Sequence, residues 1–264
     1  MRLPQELIDS ILDTLVLTDP DKHDSVLSQN SPEVQSTLRS CALVSRAFAE
    51  PSQRKIFFTV RLGYNYMPFL DLLTASPHIG VFVRTLEATY QLCEDHPING
   101  ILTLLLHLEC IILNGRELSI DPQHLRHFPT FGASCALAFS LPSVRHIELG
   151  HLIFSDVVEL ESLLRGSTGL KKLSLHSCLF ENRDATLFSG GRSISLDSLD
   201  LFKISDDKVI ESMIDSFAVV DITHLRSLRL HFSAAHSIVA ANAASLDEVD
   251  IKYSTGIFPS AIRP

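Results

Sequence analysis

The first 60 residues carry hydrophobic positions at helical spacing. Within residues 4–16 the apolar side chains recur every three or four residues and form one stripe: Leu7, Ile8, Ile11, Leu12 and Leu15. Such a stripe predicts an amphipathic helix with one buried face. Residues 18–32 are polar and bounded by prolines, which predicts a loop. A second helix is expected over residues 33–49 with a break near Leu43, and a third short segment over residues 52–58.

Beyond residue 80 a different pattern, apolar-x-x-apolar-x-apolar, returns along the chain. Its central apolar residues are Leu86, Ile111, Ile147, Leu173, Leu199, Leu228 and Val249. The steps between them are 25, 36, 26, 26, 29 and 21 residues, and the longest step is expected to hold an insertion over residues 122–141. Each copy alternates as a β-strand does, so the apolar residues should face a core and the residues between them solvent.

The segments between the repeated strands contain helical patterns, over residues 156–164, 206–219 and 236–244. A strand followed by a helix in each unit predicts an α/β fold in which parallel strands line one face and helices lie outside. An ordinary two-layer α/β domain is the alternative.

Composition narrows the class of protein. The chain has 264 residues, 41 of them leucine, and a net charge of -9, which disfavours binding to nucleic acid. Neither a secretory signal nor an apolar run long enough for a membrane helix is recognisable, so no membrane association is expected. The five cysteines are widely spaced, which indicates free thiols in a reducing compartment, cytoplasmic or nuclear.

Catalytic and metal-binding motifs are not found in the sequence. His124 and His127 lie three residues apart, but no acidic residues complete a ligand set with them. The stretch Gly132-Ala-Ser134-Cys135-Ala136 lacks the final glycine of a nucleophile elbow. We therefore expect no metal, no cofactor and no enzymatic activity; a small hydrolase has no motif to support it.

The N-terminal pattern resembles a known family. Leu3-Pro4-x-Glu6-Leu7, then Leu43-Val44-Ser45-Arg46-x-Phe48, then Arg54-x-Ile56-Phe57, is similar to the F-box, in the F-box-like form common in fungal proteins. The resemblance implies a three-helix module over residues 1–60 that binds a Skp-family adaptor and, through it, a cullin. The contact positions that it implies are Leu3, Pro4, Leu7, Ile11, Leu12, Leu43, Val44 and Phe48. A plain helical cap on a larger domain is the alternative.

The second part, residues 61–264, resembles the degenerate leucine-rich repeats that follow F-boxes in many fungal proteins. The resemblance implies a solenoid of about seven repeats, with strands on its concave face. We expect it to be incomplete at its C-terminal end, unless residues 253–264 cover that end. The residues between the apolar positions are the expected target-binding surface: Glu87, His146, Glu148, Lys172, His176, Asp200, Phe202, Arg229, His231 and Asp250. A merely solvated sheet face is the alternative for any one of them.

Together the two resemblances imply the substrate-recognition subunit of a Skp–cullin–F-box ubiquitin ligase. The helices would bind the adaptor, the repeats would hold an unknown protein target, and the chain would act by proximity rather than catalysis. A leucine-rich-repeat scaffold for protein interaction, without a role in ubiquitin ligation, is the alternative function.

Overall fold

The structure, a computed structural model of the chain, describes residues 3–17, 32–63, 66–89, 98–115, 133–181, 194–202, 204, 220–230 and 235–251. Its helices are α1 Gln5–Leu17, α2 Pro32–Val44, α3 Arg46–Ile56, α4 Met67–Ala75, a 3-10 helix Pro77–Val81, α5 Ile98–Leu102, α6 Ala133–Phe139, α7 Val157–Leu164 and α8 Ala235–Asn242. Its strands are β1 Thr59–Leu62, β2 Thr85–Thr89, β3 Cys110–Asn114, β4 His146–Gly150, β5 Ile153–Phe154, β6 Lys172–His176, β7 Leu179–Phe180, β8 Ile194–Ser195, β9 Ser198–Phe202, β10 Val220–Asp221, β11 Ser227–Leu230 and β12 Glu248–Ile251. The fold is α/β with a large parallel sheet.

The first three helices differ in their bounds from the sequence prediction. The second helix ends at Val44, where the break near Leu43 was predicted and before the predicted end at residue 49, because Ser45 takes an extended conformation with φ −162° and ψ 163°. The carbonyl of Ser45 then accepts the first hydrogen bonds of α3 from the N–H groups of Phe48 and Ala49, both at 3.1 Å. The third helix therefore begins at Arg46 rather than at residue 52, and Pro51 lies inside it.

The three N-terminal helices share a small core of their own. Ile8, Leu12 and Leu38 are fully buried together, and residues such as Phe48 and Ile56 pack half-buried around them. An ion pair between Asp13 and Lys55 also joins α1 to α3. A core of this size buries little surface, so each of its buried side chains matters to its stability.

Eight strands form one entirely parallel sheet in the order β1-β2-β3-β4-β6-β9-β11-β12, which follows the chain. All seven predicted strands are in it, and the 36-residue step between Ile111 and Ile147 still leaves β3 and β4 adjacent. The sheet also contains β1, which the sequence pattern did not predict and which pairs with β2. The predicted division between residues 60 and 61 therefore falls inside a strand.

Strand register aligns the repeated apolar positions. Leu86 pairs with Ile111, Ile111 with Ile147, and the alignment continues through Leu173, Leu199 and Leu228 to Val249. Those on β2, β3, β4, β6, β9 and β11 are buried, whereas Val249 on β12 is 43% exposed. This row forms the centre of one continuous hydrophobic core, to which Leu73, Phe139 and Leu164 contribute from the helices.

The helical predictions between strands are met where the structure describes them. The helix expected over residues 156–164 spans Val157–Leu164, and Asp156 caps it by accepting a hydrogen bond from the N–H of Glu159 at 2.9 Å. The helix expected over residues 236–244 is Ala235–Asn242. The predicted helix at 206–219, the segment 253–264 and the first part of the predicted insertion lie outside the described residues. None of the helices in the described ranges combines the length and apolar character needed to cross a membrane.

Candidate functional site: polar side chains on one face of the sheet

Three register rows place the predicted target-binding residues on one face of the sheet. Alternate residues of a strand point to the same side, so the first, third and fifth residues of neighbouring strands share a face. The central row contains Glu87, Ile112, Glu148, Ser174, Asp200, Arg229 and Asp250. His146 and Lys172 lie in the row at the strand starts, and His176 and Phe202 in the row at the strand ends. His231 lies outside the described residues.

The prediction that the residues between the apolar positions face solvent is wrong for several of them. Thr85, Ile112, Ser174 and Asp200 are buried. Adjacent strands lie only about 4.8 Å apart, so longer side chains on neighbouring strands cover the shorter ones. Asp200 is the important case, because a carboxylate is rarely buried to this degree unless it is paired.

His176 lies between two carboxylates that neighbouring strands supply. Its Nδ1 is 3.7 Å from Oε1 of Glu148, and its Nε2 is 3.7 Å from Oδ2 of Asp200. The pKa of His176 is raised, first by its interaction with Asp200, with burial opposing and the charge of Glu148 assisting. Burial raises the pKa of Glu148 above its ordinary value, although nearby His176 and Lys172 oppose that change. The imidazole therefore takes up a proton more readily than a free histidine does.

Arg229 connects Asp200 with the last strand of the sheet. Its guanidinium is 3.6 Å from Oδ2 of Asp200 and 3.2 Å from Oδ2 of Asp250. At the opposite end of the row, Nε of Arg61 lies 2.6 Å from Oε2 of Glu87. Charges of opposite sign thus pair between neighbouring strands at both ends of the row, and both arginines are already paired with carboxylates.

A second polar chain runs along the strand starts. Sγ of Cys110 is 3.2 Å from Nδ1 of His146, whose Nε2 is 3.2 Å from Oγ of Ser174. Burial raises the pKa of Cys110 to about 12, with the charge of Glu148 adding to the effect. Burial also lowers the pKa of His146 to about 4, with Lys172 and His176 contributing. The thiolate is the nucleophilic form of cysteine, so this thiol is held in its unreactive state near neutral pH.

Phe202 adds an aromatic group beside the charged cluster. It is half-buried, and its ring meets that of His176 edge-on, with centroids 5.9 Å apart and an interplanar angle of 66°. It follows Asp200 by two residues on β9 and so lies on the same face. The centre of this face therefore combines carboxylates, an imidazole and an aromatic ring.

The residues predicted to bind an adaptor divide into exposed and buried positions. Leu3, Leu7 and Ile11 on and before α1 are exposed, and so are Leu43 and Val44 at the end of α2, with Leu43 at 87%. Pro4 is exposed as well. Phe48 is half-buried against the small helical core. Leu12 is a correction: it is 0% exposed between Ile8 and Leu38, so it supports the helices from inside and presents no surface to a partner.

Sequence reasoning missed one feature at the junction of α3 and the 3-10 helix. An open cleft of about 570 Å³ lies there, lined by Gln53, Arg54, His78, Val81 and Phe82 among others. The Arg54 guanidinium is 5.8 Å from the centroid of the Phe82 ring and pairs with Glu50 at 2.6 Å. No local signal could have indicated the cleft, since its two walls come from segments about 25 residues apart.

The cysteines that the structure describes are free thiols, and the described metal-ligand residue types do not cluster. Cys41, Cys110 and Cys178 are free, with only Cys178 fully buried, as the prediction of free thiols requires. In the part of the chain that the structure describes, no three His, Cys, Asp or Glu residues come together in a metal-binding arrangement. His124 and His127 lie outside it.

Comparison with known proteins assigns no family. No family model matches the chain, and no curated protein matches it.

Proposed function

We propose that the chain is the substrate-recognition subunit of a Skp–cullin–F-box ubiquitin ligase. In this proposal α1–α3 form an F-box-like module that binds a Skp-family adaptor and, through it, a cullin. The strands and helices that follow form a leucine-rich-repeat solenoid whose polar sheet face binds the target protein. The protein would act in the cytoplasm, the nucleus or both.

The observation that carries the adaptor half of the proposal is the set of exposed apolar side chains on α1 and α2. Leu3, Leu7 and Ile11 are spaced four residues apart and so lie on one side of α1 and the turn before it. Leu43 and Val44, at the end of α2, are exposed still further. Large apolar groups left in water on so small a helical unit are typical of a protein-binding surface. Leu12 is removed from the proposed contacts, and Phe48 is assigned to supporting them.

The repeat half of the proposal rests on the register of the sheet. Parallel strands that follow the chain order, with one aligned row of buried leucine-type residues, are the arrangement that stacked strand–helix units produce. Such stacking leaves one broad sheet face available to a partner. The polar rows on that face differ from strand to strand, which suits recognition of one particular surface.

In this proposal the partner proteins would carry out the transfer of ubiquitin. A receptor of this kind holds its target near the thioester of another protein, and the reaction is faster because the effective concentration of the target is raised. The chain itself would need no cofactor and would make or break no bond. The unreactive state of the Cys110 thiol is compatible with that role.

Co-purification of the full chain with a Skp homologue tests the proposal. We expect the wild type to bind and Leu7→Asp to lose binding, because a charge would replace an apolar side chain that is 50% exposed. Leu106→Asp is the matched control: Leu106 is 71% exposed but lies between α5 and β3, so binding should remain. Thermal unfolding of both variants shows whether the fold is retained.

Two outcomes would reject the ligase role. One is failure of the wild type to bind any Skp homologue; the other is equal binding by the wild type and the folded Leu7→Asp variant. Either result would leave the polar sheet face without a ligase connection. The alternative function, a leucine-rich-repeat interaction scaffold, would then be the better account.

A further inference from the structure

The cleft between α3 and the 3-10 helix contains none of the residues that the proposed function assigns to a partner. On the α3 side it is lined by Arg46, Glu50 and Arg54, which follow one another at four-residue intervals and so share one face of the helix. The other wall includes Val81 and the ring of Phe82. An open space of about 570 Å³ between a charged helix face and an apolar wall has room for several side chains of a partner.

We propose that this cleft binds an acidic segment of a partner protein. Two carboxylates of the segment would pair with Arg46 and Arg54, and an apolar side chain between them would lie against Val81 and Phe82. The inference goes beyond the proposed function and does not depend on it. An apolar residue flanked by two acidic ones is therefore the chemistry that the cleft would recognise.

Hydrogen-bond donors remain available on both guanidinium groups. The Arg46 side chain is exposed, and no carboxylate of the described residues lies within ion-pair distance of it. Arg54 is paired with Glu50 through one nitrogen, Nη2, at 2.6 Å, whereas a guanidinium has five N–H donors. The two side chains of this pair are 64% and 62% exposed, and exposed ion pairs contribute little to stability. Arg54 can therefore also pair with a carboxylate of a partner.

The charge of the cleft is opposite in sign to that of the whole chain. Two arginines and one glutamate give its lining an excess of one positive charge, without counting His78, whereas the chain carries -9. Lys55, next to Arg54 on α3, is paired with Asp13, so that pair adds no net charge. A carboxylate from a partner would pair with the unmatched Arg46, whereas a basic segment would be repelled by it.

The apolar wall favours an apolar residue between the two acidic ones. Val81 is 42% exposed, and the Phe82 ring is half-buried. The Arg54 guanidinium lies 5.8 Å from the centroid of that ring, so the charged and apolar parts of the cleft are adjacent. An aliphatic side chain placed against Val81 would remove apolar surface of both partners from water, which stabilises the complex.

The separation of the arginines determines the spacing of the two acidic residues. Arg46 and Arg54 are eight residues apart on α3, which corresponds to about 12 Å along the axis at about 1.5 Å per residue. An extended segment advances about 3.3 Å per residue, so acidic residues three or four positions apart match this separation. Acidic residues next to each other would reach only one of the arginines.

Fluorescence anisotropy of labelled peptides with the full chain, at near-neutral pH, tests the inference. The peptides differ only in a central core: Glu-Ser-Leu-Glu, the same core with Gln or with Lys at both Glu positions, or Glu-Ser-Ser-Glu. We expect Glu-Ser-Leu-Glu to bind at least about fivefold more tightly than the Gln and Ser-Ser versions, and the Lys version to bind most weakly. Added salt should weaken the binding, because it screens exposed charges.

Substitutions in the cleft assign the binding to it. Arg46→Gln and Arg54→Gln should each weaken binding of Glu-Ser-Leu-Glu by at least about threefold, and Val81→Ser should remove its advantage over Glu-Ser-Ser-Glu. Arg39→Gln is the matched control, because it makes the same charge change at an exposed arginine of α2 that does not line the cleft. Thermal unfolding checks that each variant folds. If one of the two arginine variants of the cleft is unfolded, the other decides.

The inference is overturned by any of three results. These are tighter binding of the Gln or Lys peptide than of the Glu peptide, unchanged binding in the folded cleft variants, or no binding above background. Two other occupants have their own signatures. Peptide binding that appears only after Asp19, Asp21 and Asp24 are replaced by asparagine would identify residues 18–31 of the same chain as the occupant. Self-association that Arg46→Gln abolishes would identify a second copy.

Skp co-purification on the same preparations separates this inference from the proposed function. Failure to bind any Skp homologue, with a retained preference for Glu-Ser-Leu-Glu, rejects the ligase role alone. Adaptor binding by a wild type that lacks the peptide preference rejects the acidic-segment inference alone.

Discussion

The contrast between Leu7 and Leu12 provides a direct test of how the N-terminal helices are stabilised. Both belong to the apolar stripe of α1, yet Leu7 is 50% exposed and Leu12 is 0% exposed. Replacing Leu12 by alanine leaves a cavity between Ile8 and Leu38, and these three are the fully buried apolar residues of the unit among those the structure describes. Buried leucine-to-alanine changes cost about 2–5 kcal/mol. Leu7→Ala removes a side chain already half in water and should cost less than about 1 kcal/mol.

Hydrogen exchange followed by mass spectrometry measures this difference locally. A loss of about 2–5 kcal/mol raises the population of the opened state, and so the rate of exchange through it, by about 30-fold to about 5,000-fold. We expect peptides from α1 and α3 to exchange faster by that factor in Leu12→Ala and by much less in Leu7→Ala. Peptides from β6 serve as the internal reference, because that strand belongs to the other core. Equal protection in the two variants, or a larger loss in Leu7→Ala, would refute the assignment of Leu12 to the interior.

Two further predictions concern the sheet. Leu173 is fully buried in the aligned row, so Leu173→Ala should lower the free energy of unfolding by about 2–5 kcal/mol, measured by thermal unfolding. Val249 lies in the same row but is exposed, so Val249→Ala should cost less than about 1 kcal/mol. Equal losses in the two variants would contradict this difference in burial. The pKa of His146 in the folded chain is lowered to about 4, mainly by burial. In the unfolded chain this histidine binds a proton at about pH 6.5, so the free energy of unfolding falls as the pH drops from about 6.5 toward about 4. His146→Gln should reduce the fall in melting temperature between about pH 7 and about pH 5; an unchanged fall would rule out His146 as its source.

The strands were predictable because the pattern that specifies them is local. Each copy has apolar residues at its first, fourth and sixth positions. The alternation of side chains along a strand then places the fourth and sixth residues on the core side. Seven copies gave seven strands in the expected order. The strand β1 was missed because residues 52–58 were assigned to a helical segment and the repeated strand pattern was followed only beyond residue 80.

The helix bounds near Ser45 were less predictable. The apolar positions continue from α2 into α3 with nearly helical spacing, so periodicity predicts a helix to residue 49 and only an approximate break near Leu43. The break depends on the extended backbone of Ser45, which turns α3 back so that Phe48 and Ile56 reach the core around Leu38. That turn is stabilised by packing between helices, which the sequence pattern does not contain.

The candidate site was predictable as a set of positions but not as an environment. Counting alternate residues placed Glu148, His176 and Asp200 on one face. It could not show that His176 comes between the two carboxylates, or that Asp200 is buried, because those facts depend on the side chains of adjacent strands. The pKa changes of His146 and His176 have opposite directions for the same reason.

The sequence by itself determined the repeated strand and the amphipathic character of the first helix, since each depends on residues within one short window. Only the tertiary structure decided which members of a stripe are buried and which polar groups meet. Leu7 and Leu12 are alike in sequence pattern, but the packing of α2 and α3 buries one and leaves the other in water. Burial and charge pairing are properties of neighbours across the fold, and strands 26 residues apart become neighbours only when the sheet forms.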